Sequence, residues 1–432
     1  MSNVFSEKSC VLRDEENYDR CLQLNNSRES GIKQKSCFHQ VHNFHVTRNV
    51  SVDAMHNILE GVARYDMGLV LNYFIYQQKF FTIEDLNIRI QGFDYGLDAN
   101  TNKPTRIYES HVKNGYIIMS SSEMHSFLNS FNLIIRHKIP ESDKIWNLYL
   151  TLKSITNIVF SLNITENTHL YLAVLIEEYL TLLNTFFPNC LKPKHHFLVH
   201  YPRCMKQFGP LGKISCLRFE GKHKDGKRTS ALTTSRLNIN RTVAIKHQLM
   251  QNYRFINKIS RCSSYTLGKQ KHTKIHNITH YEKFMVLFPK LNTNFLTTVK
   301  WIQIDGKKIC KSAILVFFNE DSPDFYFISE IIIIDNDFFL LCLRFNDVFF
   351  NSHFSAYKIY DCNIIDYHIL KKNDIESCNV TYIMLLSNGY YFISKDWIIY
   401  IWHITVRFSQ STDVDPGSYI RMFDQLRYQL LA

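Results

Sequence analysis

Apolar residues along this chain follow two different rhythms. From about residue 52 to 260 they recur at helical spacing. Ile58, Val62, Leu69, Tyr73 and Phe74 fall where one buried helix face requires them. Ser120-Ser121-Ser122-Glu123 reads as a capping box ahead of Phe127, Phe131 and Ile134. Trp146, Leu150, Ile155 and Val159 mark a further helix. Leu170, Val174, Tyr179, Leu182 and Phe186 mark a long one that stops before Pro188. Beyond about residue 295 the pattern turns strand-like. Residues 331–334 and 338–343 predict buried strands, and Asp305-Gly306 a hairpin turn between apolar runs.

The expected class is α+β. A polar segment (1–50) leads into a helical region (51–257). A Ser/Lys/His-rich linker (258–294), a small β-rich domain (295–405) and a C-terminal tail (406–432) follow. Few contacts are expected between the helical and β-rich parts, since a polar stretch separates them.

Composition narrows the functional classes. The chain has 432 residues, 45% hydrophobic and 21% charged, a balance that supports globular folding. Its 11 cysteines include no Cys-x-x-Cys pair, and the N-terminus has no apolar signal run, so reduced thiols in a nuclear or cytosolic setting are expected. Apolar runs such as 331–334 and 397–402 are far below the roughly 20 residues of a membrane span, and no membrane partner is expected.

Charge is more informative. The formal net charge is +11, and residues 192–246 hold 13 Lys/Arg against Glu220 and Asp225, leaving the rest of the chain neutral. Such a block is the electrostatic footprint of a polyanion partner, with a solvated basic face as the plain alternative.

Three clusters bear chemistry. Cys37, His39, His42 and His45 could hold zinc, but their spacing matches no common zinc module, and unrelated side chains on a loop are the simpler reading. Asp53 and His56, three apart, share a helix face and could share a metal or a proton, unless Asp53 only caps the helix. Glu220 stands alone among cations, where it can form a structural ion pair or ligate a divalent metal beside a phosphate backbone.

Read in order, the motifs are Asp53-Ala54-Met55-His56 with Glu60-Gly61-Val62, then Lys192-Pro193-Lys194-His195-His196-Phe197-Leu198-Val199-His200-Tyr201-Pro202. Gly209-Pro210-Leu211, Arg218-Phe219-Glu220-Gly221-Lys222-His223 and Asn238-Ile239 to His247-Gln248-Leu249 follow. This order resembles transposases of the CACTA (En/Spm) type and their domesticated animal copies, over about residues 10–255.

The resemblance implies that the helical region corresponds to the helical insertion and C-terminal part of an RNase H-like core. In such a core three acids hold Mg²⁺ or Mn²⁺ for strand cleavage and joining. Carried over by motif, Glu220 is the third acid and metal ligand, with Asp53 and His56 as the supporting catalytic element. Arg218, Lys222, Lys224, Lys227, Arg228 and Arg236 would face DNA.

The family's first two acids fall upstream of Met1. Asp14 and Asp19 follow no apolar strand, and Gly221 and Gly226 weaken the helix around the third acid. The expectation is therefore a nuclear, DNA-associated protein, capable of homo-oligomerisation, without strand transfer. The alternatives are a metal-dependent nuclease completed by a longer product or partner chain, and an interaction module with no nucleic-acid role.

Overall fold

A computed structural model describes residues 4–392, apart from 96–101, 258–264, 279–280, 288–293, 305–306, 319–322, 335–336, 346–347, 360–365, 376–377 and 387–388. The architecture is α+β, with a helical N-terminal region followed by antiparallel sheet. No helix among the described residues is long and apolar enough to cross a membrane.

The helical region is organised by α1, a continuous helix of three segments: Met55–Val62, Ala63–Asn72 and Tyr73–Gln77, the first and last π-wound. Around it pack α2 (Ser121–Ile135), α3 (Lys144–Phe160), α4 (Thr168–Phe186), α5 (Pro193–Leu198) and α6 (Tyr201–Phe208). The starts are capped as the sequence suggests. Ser120 and Glu123 bond reciprocally at the head of α2, and the Asp143 carboxylate accepts from Trp146 N at 2.9 Å at the head of α3.

Phe74, Phe131, Trp146 and Tyr149 are fully buried, with ring centroids 5.0 Å apart for Phe131–Tyr149 and Trp146–Tyr149. Burying each such side chain stabilises by about 1.5–3 kcal/mol. On α4 the predicted helix forms, but its buried face is Leu172, Leu175, Ile176, Tyr179, Leu180 and Leu183, while Leu170 is 57% exposed. The helix is apolar on more than one side, so periodicity alone misplaces the face.

Gly68 sits where α1 crosses the backbone at Gly115. A Cβ there would lie 2.5 Å from Gly115 C and 2.8 Å from Tyr116 N, and neither backbone atom can swing aside. Gly68→Ala is therefore expected to cost about 1–3 kcal/mol in urea denaturation despite alanine's better helix propensity. A neutral or stabilising result would show that the crossing is loose.

The strands are β1 (Gln270–Lys274), β2 (Phe295–Val299), β3 (Trp301–Ile304), β4 (Lys307–Cys310), β5 (Ala313–Phe318), β6 (Pro323–Ile334), β7 (Asp337–Phe345), β8 (Val348–Asn351), β9 (Ala356–Ile359), β10 (Asp366–Lys371), β11 (Asn379–Leu386) and β12 (Gly389–Phe392). The main path runs β10-β7-β6-β5-β11-β12-β9-β8, all antiparallel, with β2 joining β6 and carrying β1. The predicted strands at 331–334 and 338–343 lie in β6 and β7 and pair with each other, Ile333 opposite Phe338. The Asp305-Gly306 turn lies outside the described residues, as does everything after 392, including the tail (406–432). β3 and β4 flank the turn, with Ile304 opposite Lys307.

One expectation is corrected. The stretch read as a linker (258–294) supplies structure: Thr266–Leu267 pairs with β3, β1 pairs with β2, and Tyr281–Leu287 is helical. Its Gln-Lys-His-Thr-Lys strand is polar because it is an exposed edge, where lysines discourage further pairing, and that polarity mimics a linker. Contacts between the helical and β-rich regions are few among the described residues, as expected, and centre on one turn. In the turn after β8, His353 O accepts from Trp146 Nε1 at 3.0 Å and Phe354 O from Asn132 Nδ2. The Phe354 ring packs on Leu133 and lies 4.2 Å beneath the Arg136 guanidinium.

Candidate functional site

The site forms where α1 meets α7 (Cys216–Leu232). Asp53, just ahead of α1, ties the two helix starts together. Its Oδ1 accepts from Met55 N at 3.4 Å and from Cys216 N, the first residue of α7, at 2.8 Å. Its Oδ2 accepts from His56 N at 3.1 Å and from His56 Nδ1. Both oxygens thus answer N–H groups that a helix start leaves unpaired. Burial pushes the Asp53 carboxyl up, but the N–H groups of Cys216, His56 and Met55 and the imidazole outweigh it and hold the carboxyl below its ordinary value.

With Nδ1–H committed to Asp53, His56 turns Nε2 toward Glu220, whose Oε1 lies 3.3 Å away. His56 and Glu220 are half-exposed. Cys216 and Glu220, four apart, share one face of α7. Asp53, His56 and Cys216 each bring a ligand atom within 4.8 Å of the others, and they form the one such group among the described residues. Burial, then the Asp53 charge, pushes the Cys216 thiol up.

Two sequence motifs brace this corner. From Lys192-Pro193-Lys194, the Lys194 ammonium crosses Gly61 and donates to His56 O at 2.7 Å and Glu60 O at 3.1 Å. Glu60 itself accepts from Ser121 Oγ at 2.6 Å. His195 is buried with Asp66 and Tyr179. Lys192 N donates to its Nδ1 at 2.8 Å, so its Nε2–H donates to the Asp66 carboxylate at 2.9 Å, and the Tyr179 hydroxyl donates to the same carboxylate. This triad is inaccessible and structural. His196 and His200 face each other with Nε2 atoms 3.3 Å apart, and Glu7 accepts from His200 Nδ1 at 2.7 Å and from Arg203 Nε at 2.8 Å.

The N-terminal Cys/His set does not converge. The His39 and His45 rings stack at 4.2 Å beside Tyr18, and Cys37 and His42 make no metal-sized group with them among the described residues.

Beyond Glu220, α7 and α8 (Ile239–Ile256) form a hairpin arm with no buried residue. Arg218, Lys222, Lys224, Lys227, Arg228 and Arg236 are all exposed. Among the described residues only Lys222 of these is ion-paired, to Asp225. Gly221 and Gly226 remain within the helix. α8 carries Ile245, Leu249, Tyr253 and Ile256, spaced four, four and three apart and 47–79% exposed.

Sequence reasoning therefore named Asp53, His56 and Glu220, which the structure brings together, and missed Cys216, Lys194 and Asp66. Cys216 was the findable one, a ligand type one helical turn before Glu220. Comparison with known protein families, with curated proteins and with solved structures returns no match.

A pair of magnesium or manganese ions does not fit the donors gathered here. Hard cations take oxygen ligands. Asp53 spends both oxygens on N–H groups, which leaves Glu220 as the carboxylate with uncommitted oxygens in a group otherwise of imidazole and thiol.

Proposed function

We propose that this chain is a DNA-associated relative of CACTA-type transposases, acting in the nucleus, that holds duplex DNA without cutting it. The observation that carries this reading is the arm. The exposed cations along it include Arg218, Lys222, Lys224, Lys227, Arg228 and Arg236, and of these six only Lys222 has a carboxylate partner among the described residues. A phosphate backbone supplies the missing charge, and helix-borne cations position a duplex without reading its bases. The motif order supports the family, and the approach of Glu220 to His56, 164 positions earlier in the chain, is the arrangement that order implies. On this reading the helical region corresponds to the helical insertion and C-terminal part of an RNase H-like core. A two-metal cleavage centre would need further carboxylates from a longer product or partner chain.

The test is plasmid DNA mixed with purified protein in Mg²⁺ or Mn²⁺ and read for both retention and nicking. The expected result is salt-sensitive retention with no nicking. Reversing Lys222, Lys224 and Arg228 to Glu should weaken binding to all sequences alike and flatten the salt slope by roughly three, at about 0.9 per phosphate contact. Glu220→Gln should leave retention unchanged or slightly tighter. Nicking that disappears in Glu220→Gln would establish an active nuclease instead.

A second reading is favoured by the exposed apolar stripe on α8, which fits a protein surface, a second copy of the chain included. Absence of retention at low salt would select it.

A further inference from the structure

We propose that the outer face of α8 docks an amphipathic helix of a partner protein, one whose apolar side is bordered by aspartates and glutamates. This rests on the protein-surface reading of the stripe and names its occupant. α8 lies in the arm with one side toward α7. A Cβ on Gly226 of α7 would meet Val243 Cγ1 at 3.7 Å, so Val243 faces α7. Arg254 falls on that same side at 3.6 residues per turn and is half-buried. Ile245, Leu249, Tyr253 and Ile256 fall on the opposite side, within roughly 80° of arc, and all four are exposed. Anchors at this spacing are what a second helix seats against.

Charge chooses the occupant. Arg241 and Lys246 border the stripe on its two sides, both exposed, and neither is ion-paired among the described residues. The Lys246 ammonium donates to Thr233 Oγ1 at 3.2 Å, which leaves its charge uncompensated. No Asp or Glu stands between Asp225 and Glu282, so α8 carries no carboxylate of its own. A second copy laid on the stripe would bring like charges to both borders, and a duplex offers phosphates but no apolar face. A helix with an apolar seam and flanking carboxylates answers both features at once, as flanking charge pairs do in coiled coils. The cations assigned to DNA lie on α7 and in the turn after it, so the two surfaces are separable.

Two labelled heptad peptides, with Leu at a and d and either Glu or Lys at e and g, provide the probes. Fluorescence anisotropy with the full-length protein should show the Glu peptide binding, more weakly as salt rises, and the Lys peptide binding at least about tenfold more weakly. Leu249→Ser combined with Tyr253→Ser, both at exposed positions, should weaken the Glu peptide by about tenfold or more while plasmid retention persists, because every cation is kept. Arg241→Glu combined with Lys246→Glu should weaken the Glu peptide and remove its salt dependence.

No binding of the Glu peptide, equal affinity for the two peptides, or binding that survives in the Leu249/Tyr253 variant would overturn the proposal. Dimerisation of the wild-type chain in sedimentation, lost in that variant, would overturn it in favour of a second copy and leave the protein-surface reading standing. Binding to phosphatidylserine vesicles, lost in the same variant and without peptide binding, would end both in favour of a lipid surface. Plasmid retention reports on the duplex reading separately.

Discussion

Replacing Lys153 with methionine is expected to raise stability at pH 7 by roughly 4 kcal/mol, and by far less at pH 10. Lys153 lies in α3, is 1% exposed, and its Nζ has no hydrogen-bond partner among the described residues. Burial pushes its ammonium down to about 7, against 10.5 for a free lysine. Because the folded value is depressed, the unfolded chain binds the extra proton throughout that window. The native state is therefore penalised at neutral pH and relieved as pH rises toward 10.5. Methionine fills similar space without the amine, so the variant should lack this dependence. Urea denaturation of both proteins from pH 7 to 10 measures it. A difference between them that stays flat with pH would show that the ammonium reaches water or a partner in solution.

The opposite outcome is expected at Asp66, where alanine should cost about 3–5 kcal/mol, the loss typical of removing one member of a buried pair. Asp66, His195 and Tyr179 are all fully or almost fully buried, so the variant strands an imidazole N–H and a phenol hydroxyl in the core. Burial lowers the His195 value, but the Asp66 carboxylate outweighs it and the imidazole ends above 6.5. A raised folded value contributes stability that is fully present below the unfolded value and lost as pH rises through the folded one. The cost of Asp66→Ala should therefore be largest in acid and shrink toward alkaline pH. Tyr179→Phe, which removes a single hydrogen bond, should cost only about 1 kcal/mol. Equal losses in the two variants would mean that the carboxylate does no more than accept from Tyr179.

Much of this was legible in the sequence, for reasons that differ by element. The Ser120/Glu123 cap and the β6–β7 pairing depend on neighbouring residues, so local pattern suffices. The inward face of α4 did not follow from pattern, because Leu170 and Leu172 are equally apolar and only packing separates them. β1 was hidden by its own polarity. Asp53, His56 and Glu220 came from motif order, which preserves long-range relations that composition discards. Cys216 escaped because no motif marks it, although it sits one turn before Glu220. Asp66 could not be seen at all: an acid in the middle of an apolar helix reveals its purpose only when the His195 and Tyr179 partners arrive from 129 and 113 residues away.

The unburied arm has a kinetic counterpart. α7 and α8 bury no side chain, so each helix opens at a free-energy cost set by little more than its own backbone hydrogen bonds. Amide protons along residues 217–256 should exchange far faster than those of α3, whose opening exposes Trp146, Tyr149 and Ile155. The arm therefore reports its own occupancy. Any duplex, metal ion or protein that settles on it must slow that exchange, and the residues that slow first mark the footprint.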